Sequence, residues 1–304
     1  MRIVSFLPAG TAILLALGAG DQIVGISHEN LAIGAVGHLP VVSHLVFEDQ
    51  ELNAQQIDTL VADSYSRGQS LYRVDHAQLR ALHPDLLITQ EICDVCAVTP
   101  NDFQRALGQL DPMPHVLSLN AHTLAEAEDD IRRTAEVAGR DAAGAALLAD
   151  WERRKAALRE RLGPTFTRPG VACLEWPDPL YDCGHWVPEM VALAGGEELL
   201  GTPGGASRRM EWERLQACQP EIVVMMFCGL PLKRAWTEAR ALAAQPGFDR
   251  LPAARSRRVW VVDGPRCFSQ SGSGLMDGIE ILAKLIHPER FGGCAETDAL
   301  PLVG

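Results

Sequence analysis

Residues 141–162, DAAGAALLADWERRKAALRERL, decide the fold that this sequence predicts. Asp141 can cap the amino end of a helix here, and Gly163-Pro164 ends it. At ~1.5 Å per residue such a helix is about 33 Å long. Apolar side chains recur every three or four residues with charged residues between them, which indicates a single amphipathic helix. These apolar residues are Leu147, Leu148, Trp151, Ala156, Leu158 and Leu162.

The same alternation of short apolar strands and helices precedes and follows this helix. DLLIT (85–89) and EIVVMM (221–226) are examples of the strands. Near-continuous apolar strands separated by helices are typical of parallel sheets covered on both faces. We therefore expect an α/β fold of two Rossmann-like lobes with parallel sheets, joined by a single long backbone helix, with a ligand cleft between the lobes. The predicted domains are an N-terminal α/β lobe over 1–120, a helical connector over 121–165 and a C-terminal α/β lobe over 166–304.

Composition excludes several classes of partner. The chain has 304 residues, 47% hydrophobic and 22% charged, and a net charge of −12. This negative charge argues against nucleic acid and anionic membrane surfaces as partners. No apolar run reaches the ~20 residues of a membrane span. A strand is predicted from residue 2 with no leader before it, so we expect a cytoplasmic protein, or a periplasmic or cell-surface protein if a leader was removed or missed. We also expect a monomer.

Chemically useful side chains concentrate where the predicted strands end. In open parallel sheets, ligands bind beyond the carboxyl ends of the strands, so residues that follow strands are the first candidates for a site. Aromatic, histidine, cysteine and carboxylate side chains are enriched there, although connecting loops need only turn residues. The candidates are Pro8, Ala9, Gly10, His28, Glu29, Glu91, Cys93, Cys96, Trp176, Tyr181, His185, Trp186, Cys228, Asp263 and Arg266.

Cys93-x-x-Cys96 is the sharpest local motif. No second CxxC pair or HxxxH completes a zinc knuckle, and the motif does not open a predicted helix as a thioredoxin-like dithiol would. Three interpretations remain open: a structural or resting thiol pair, a ligand or metal contact together with His28, Cys228 or His185, and redox chemistry. The five residues named here are our metal candidates, and no metal site is assigned. No P-loop, G-x-S-x-G or H-E-x-x-H motif occurs, and no catalytic residue is assigned.

Four stretches of the chain carry a family resemblance. They are RIVSFLPAGTAILLALGAGDQIVGISHE (2–29), LRALHPDLLITQEICDVCAV (79–98), GHWVPEMVALAGGEELLG (184–201) and VVDGPRCFSQSGSGLMDGIEILAKLIHPE (261–289). With them, almost the whole chain resembles the helical-backbone (class III) substrate-binding proteins of ABC importers, and in particular their cobalamin-binding branch. The stretches around Cys93 and Gly184 resemble the narrower, cobalamin-binding subgroup.

This resemblance implies a non-catalytic protein that requires no cofactor and binds a large metal complex, most of all cobalamin or another corrinoid. Tyr181 stands where the family's C-terminal lobe presents an aromatic ring, and Tyr72 stands near the N-terminal lobe's tryptophan position. Glu213 matches a glutamate that docks on an ABC permease, whereas the second docking position is Ala77. The implied ligand contacts are stacking by Tyr72, Trp176, Tyr181 and Trp186 and polar anchoring by Asp263 and Arg266.

Other functions fit parts of the same pattern. A cytoplasmic enzyme, or a redox or metal-binding protein, could use Glu91, Cys93 and Cys96 on the same scaffold, since fold alone does not set function. A siderophore, haem or a bare metal ion could replace the corrinoid as ligand. His28, His185 or a cysteine could then bind the metal axially.

Overall fold

The computed structural model of the protein describes residues 1–47, 52–67, 69–90, 107–108 and 110–302. The chain forms two compact units, one of residues 1–120 with 126–148 and one of residues 121–125 with 149–304. Within the described ranges, no helix is both long enough and apolar enough to cross a membrane.

The first unit is built on a six-stranded sheet. Its strands are β1 (Ile3–Ser5), β2 (Ile23–Ser27), β3 (Val41–Leu45), β4 (Tyr72–Val74), β5 (Leu86–Thr89) and β6 (His115–Ser118). They lie in the order β4-β3-β2-β1-β5-β6. All neighbouring pairs are parallel except β3 with β4, which is antiparallel. An antiparallel edge strand on an otherwise parallel sheet is common in folds of this kind.

Helices of the first unit begin where the sequence supplies caps. The helices are α1 (Pro8–Ala16), α2 (Ala54–Ser66), α3 (His76–Ala81) and α4 (Leu124–Val137), the last of which is shared with the second unit. Asn53 and Gln56 form a capping box at the start of α2, with both hydrogen bonds at 2.9 Å. Asp75 caps α3 by accepting a hydrogen bond from the Gln78 N–H at 2.9 Å.

The start of α1 differs from our expectation. We predicted Pro8, Ala9 and Gly10 as ligand-binding residues that follow a strand, but they are buried and make the first turn of α1, with Pro8 at its amino end. Proline suits this position because its ring sets a helical φ and its missing N–H would have no partner there. A Cβ on Gly10 would come within 2.6 Å of Ile88 Cγ2, so glycine is needed for α1 to pack closely on β5.

The predicted backbone helix is confirmed as α5 (Asp141–Leu162). Trp151, Leu158 and Leu162 are buried along its apolar face. Gly163 follows with φ of +69°, and its N–H donates to the Arg159 carbonyl at 3.0 Å. A glycine in the left-handed region that returns a hydrogen bond to the last turn is a common helix ending.

The second unit is built on another six-stranded sheet. Its strands are β7 (Gly170–Pro177), β8 (Leu180–Asp182), β9 (Glu197–Glu198), β10 (Ile222–Met225), β11 (Val259–Val262) and β12 (Ala299–Pro301). The order is β12-β11-β10-β7-β8, and β9 pairs with β7 beside β8. The β7, β9, β10 and β11 pairings are parallel, whereas β8 and β12 are antiparallel edge strands.

Every residue of β10 is buried, as its unbroken apolar run predicts for a central parallel strand.

Arg154 of α5 forms ion pairs with Asp277 at 2.6 Å and Glu280 at 2.8 Å, which tie the carboxyl half of α5 to the last long helix. The helices of this unit are α6 (Val187–Leu193), α7 (Trp212–Ala217), α8 (Leu232–Ala243), α9 (Pro252–Arg255), α10 (Gly264–Cys267), α11 (Leu275–Ile286) and α12 (Pro288–Phe291).

Candidate functional site

Two predicted aromatic residues meet at the carboxyl end of β7. Trp176 in β7 is paired with Tyr181 in β8, and Tyr181 is in turn paired antiparallel with Arg209. Hydrogen bonds flank this second pair, from Asp182 N–H to the Arg208 carbonyl at 3.0 Å and from Met210 N–H to the Leu180 carbonyl at 2.8 Å.

These flanking bonds make Tyr181 and Arg209 a non-hydrogen-bonded pair, in which Cα atoms lie only ~4.5 Å apart and side chains share one face of the sheet. Trp176, Tyr181 and Arg209 therefore form a continuous strip across three strand segments, and we name these three residues the aromatic row. Arg209 is exposed, and the two aromatic residues are half-buried. The Trp176 ring N–H donates to the Asp178 carbonyl at 3.1 Å, which fixes the ring orientation. The sequence did not single out Arg209, because it lies in a segment without regular structure.

Glu175 is placed beside the aromatic row by a β-bulge. Leu174 pairs with Asp182 and Trp176 pairs with Tyr181, so β7 has one extra residue at this point. Bulges of this kind redirect a side chain and are over-represented next to functional sites. The Ser207 hydroxyl donates to the Glu175 carboxylate and itself accepts the Gly184 N–H at 3.0 Å. Desolvation, with a smaller contribution from Asp182, raises the pKa of Glu175 to about 7, although the Ser207 hydrogen bond lowers it.

Two further acids hold the strands around this bulge. Glu198 of β9 accepts hydrogen bonds from the N–H groups of Cys173 at 3.4 Å, Leu200 at 3.1 Å and Gly201 at 3.3 Å. It thereby satisfies backbone donors where β7 leaves β9 and begins to pair with β8. Asp182 is fully buried and is paired with Arg208 at 3.5 Å and Arg214 at 3.3 Å. Both acids thus have structural roles beneath the candidate site.

His185 lies against a second histidine that the sequence did not single out. The rings of His122 and His185 are nearly parallel, at an interplanar angle of 8° with centroids 5.4 Å apart. His185 has φ of +52°, a strained conformation for a residue with a side chain. Desolvation, and then His122, lower the pKa of His185, which favours the neutral form of the His185 imidazole.

In the first unit, three predicted residues meet at the ends of neighbouring strands. The Tyr72 hydroxyl donates to Glu29 Oε1 at 3.0 Å, and the Tyr72 ring lies 5.7 Å from that of His28. His28 Nδ1 is 3.3 Å from the Ser43 carbonyl oxygen. Glu29 is exposed, whereas Tyr72 is only 8% exposed and packs in a small core cluster with Phe47 and Leu71. The Tyr72 ring therefore positions Glu29 and offers little surface for stacking.

Trp186 also lies in the core, contrary to its predicted stacking role. It is 8% exposed, and its ring N–H donates to the Phe268 carbonyl at 2.8 Å. An indole at the start of a short helix packed on a sheet buries its large apolar surface, and its N–H finds a hydrogen-bond partner within the core.

Asp263 caps α10 by accepting a hydrogen bond from the Arg266 N–H at 3.2 Å, and the Arg266 side chain donates to Asp298 at 2.7 Å. Both groups are accessible but engaged within the protein.

The described residues form no metal centre. No group of three or more His, Cys, Asp or Glu side chains in the described part of the chain is arranged to hold a metal ion. His28, His185 and Cys228 therefore do not form a preassembled site there. Glu91, Cys93 and Cys96 lie outside the described residues, so the three interpretations of the CxxC motif stay open.

Cys173, Cys183 and Cys228 lie near the bulge, and none of them forms a disulfide within the described part of the chain. Cys173 and Cys183 are buried, and burial raises the pKa of both thiols well above the usual range. Cys228 is half-buried, and its N–H donates to the Glu175 carbonyl at 3.0 Å. A nucleophilic cysteine requires a lowered pKa, so Cys173 and Cys183 are unsuited to that role.

Comparison with known proteins places the chain in a family. The model of a family described as "Periplasmic binding protein" matches residues 49–265. The chain is 21% identical over 296 residues to the uncharacterized ABC transporter substrate-binding lipoprotein YvrC of Bacillus subtilis, covering 95% of this chain and 81% of the relative.

Solved structures share the fold. A periplasmic heme-binding protein from Pseudomonas aeruginosa superposes with a TM-score of 0.73 at 21% identity, covering 95% of this chain and 93% of that one. The periplasmic vitamin B12-binding protein BtuF of Vibrio cholerae gives a TM-score of 0.65 at 17% identity, covering 94% and 96%. The predicted α/β architecture is therefore confirmed.

These findings correct our prediction of a cytoplasmic protein. The matching family is that of periplasmic binding proteins, and the Bacillus relative is a lipoprotein, so both indicate a location outside the cytoplasm. The prediction relied on the first residues of the sequence, which do not by themselves decide the compartment.

Proposed function

Since the chain belongs to the family of periplasmic binding proteins, we propose that it captures a ring-shaped metal complex outside the cytoplasm and presents it to an ABC permease. The observation that carries this proposal is the aromatic row at the carboxyl end of β7, where Trp176 and Tyr181 share one face. Aromatic side chains bind flat conjugated rings by stacking, which contributes about 0.5–1.5 kcal/mol per pair beyond area burial.

A corrinoid is our first choice of ligand. The sequence stretches 79–98 and 184–201 resemble the cobalamin-binding subgroup, and a vitamin B12-binding protein shares the fold. Haem is the main alternative, because a heme-binding protein shares the fold as well. No cofactor is required in this proposal, and the metal enters as part of the ligand.

The permease would dock through Glu213. This residue lies in the first turn of α7 and is exposed. Family membership favours binding over catalysis, and the raised pKa of the buried thiols near the site agrees with that choice. We propose that the binding protein acts as a monomer.

Variants of the aromatic row test the proposal. Trp176→Leu and Tyr181→Ala should each weaken cyanocobalamin binding about tenfold, because each removes a stacking partner and its buried area. Trp236→Leu is the matched control, since Trp236 lies on α8 outside the row. Spectral titration of each purified variant gives the dissociation constants. Wild-type affinity in both row variants would refute the assignment of this surface.

A further inference from the structure

Glu175 is a half-buried glutamate whose carboxylate is held by a hydrogen bond from the Ser207 hydroxyl. The bulge sets it next to Trp176 and opposite the same partner residue, Tyr181. Cys228 N–H holds the Glu175 backbone carbonyl at 3.0 Å, so the bulge is tied to the end of β10 as well as to β8. A side chain redirected in this way faces the same end of the sheet as the aromatic row.

Hydrogen bonds account for only one of its two oxygens. The chain of donors runs from Gly184 N–H to Ser207 Oγ and from the Ser207 hydroxyl to Glu175 Oε2. Within the described part of the chain, Oε1 receives no hydrogen bond. A carboxylate has room for about four acceptor contacts, so Oε1 is available to a donor from outside the protein.

The charge of Glu175 also lacks a cationic partner among its described neighbours. Arg208 and Arg214 are paired with Asp182 instead. The raised pKa of Glu175 agrees with this, because an adjacent cation would lower it. A ligand that donates hydrogen bonds to the carboxylate would stabilise this negative charge in place of a cation.

We propose that Glu175 is a specificity-determining residue, whose Oε1 accepts hydrogen bonds from donor groups on the rim of the ligand bound on the aromatic row. This inference rests on the proposed function and deepens it by naming the chemical class. Corrinoids have primary amides around the macrocycle, and these donate N–H groups to a carboxylate. Haem instead has two propionates, which accept hydrogen bonds and are repelled by a like charge. Glu175 thereby favours an amide-rimmed ring over a carboxylate-bearing one.

Glu175→Gln tests this proposal at pH 8.5, where the wild-type carboxylate is ionised. Cyanocobalamin and haemin are titrated separately against each variant. Glutamine keeps an oxygen acceptor but has no charge, and the weaker hydrogen bond should raise the cyanocobalamin dissociation constant about tenfold. The haemin dissociation constant should stay unchanged or fall, because a negative charge has been removed. Glu197→Gln is the matched control, since Glu197 is exposed on β9 beside Gly170 at the other end of β7, and it should change neither value.

Ser207→Ala separates positioning from direct contact. It should weaken cyanocobalamin binding less than Glu175→Gln does, and the double variant should be no weaker than Glu175→Gln alone, because Ser207 affects the ligand by positioning Glu175. Glu175→Asp keeps the charge but withdraws the carboxylate, and it should also lose cyanocobalamin affinity. Thermal unfolding of every variant confirms that it is folded.

Three results would overturn the inference. One is wild-type affinity for cyanocobalamin in Glu175→Gln, and another is an equal loss for cyanocobalamin and haemin, which indicates a general disturbance of the surface. A wild-type protein that binds neither compound refutes the proposed function, and the inference with it. The first two results refute the inference alone and leave the proposed function standing.

Discussion

Replacing Glu198 by glutamine should remove a large part of the pH dependence of the second unit's stability. The Glu198 carboxyl of β9 accepts hydrogen bonds from three backbone N–H groups. Burial raises its pKa from 4.5 to about 7, so desolvation of the ionised form outweighs these hydrogen bonds. Glutamine has nearly the same shape, keeps an oxygen acceptor for the N–H groups and has no charge to desolvate.

The sign of the effect follows from proton binding. Because the pKa is higher in the folded protein, the folded state holds a proton that the unfolded state has released between pH 4.5 and about 7. Stability therefore falls as pH rises through this window and levels off above it. At 1.36 kcal/mol per pKa unit the full shift corresponds to about 3 kcal/mol, and about 2 kcal/mol or more of it falls between pH 5 and pH 8.

Urea unfolding followed by tryptophan fluorescence measures this change. The six tryptophans all lie between residues 151 and 260, so the signal reports the second unit alone. Between pH 5 and pH 8 the free energy of unfolding of the wild type should fall by about 2–3 kcal/mol more than that of Glu198→Gln does. Glu197→Gln on the same strand is the control and should follow the wild type. The reasoning is refuted if Glu198→Gln retains the full wild-type pH dependence, or if it is the less stable of the two at pH 8.

Three further substitutions test the structure. Trp151→Ala should destabilise the protein by about 3–5 kcal/mol in chemical unfolding, because the side chain is 1% exposed and leaves a large cavity. Gly201→Ala should lower the thermal midpoint much more than Gly293→Ala, since its Cβ would meet the Cys183 carbonyl oxygen at 1.8 Å while a Cβ on Gly293 meets nothing within 4 Å. Glu213→Arg should reduce permease-dependent uptake in cells without changing the ligand dissociation constant, and a changed dissociation constant would contradict a docking role.

Periodic patterns and apolar runs in the sequence predicted the backbone helix and the central strands. The periodicity of residues 141–162 predicted α5 with the same bounds. Unbroken apolar runs identified the central parallel strands β5 and β10. These elements are specified by neighbours along the chain, so pattern and capping suffice to find them.

Features set by tertiary packing were missed. Residues 180–182 form β8, a strand too short to show a periodic pattern in the sequence. The bulge at Glu175 and its bond to Ser207 depend on strand register, which the sequence does not display. Trp186 is prominent in the sequence yet buried, because aromatic residues serve cores as often as ligand sites.

Isothermal titration of the wild-type protein with cyanocobalamin tests the central claim most directly. We predict saturable binding of one corrinoid per chain, with a dissociation constant in the micromolar range or tighter and weaker binding of haemin under the same conditions. Absence of heat and of any spectral change with cyanocobalamin, cobinamide and haemin at high micromolar concentrations would contradict a ring-shaped metal complex as the ligand.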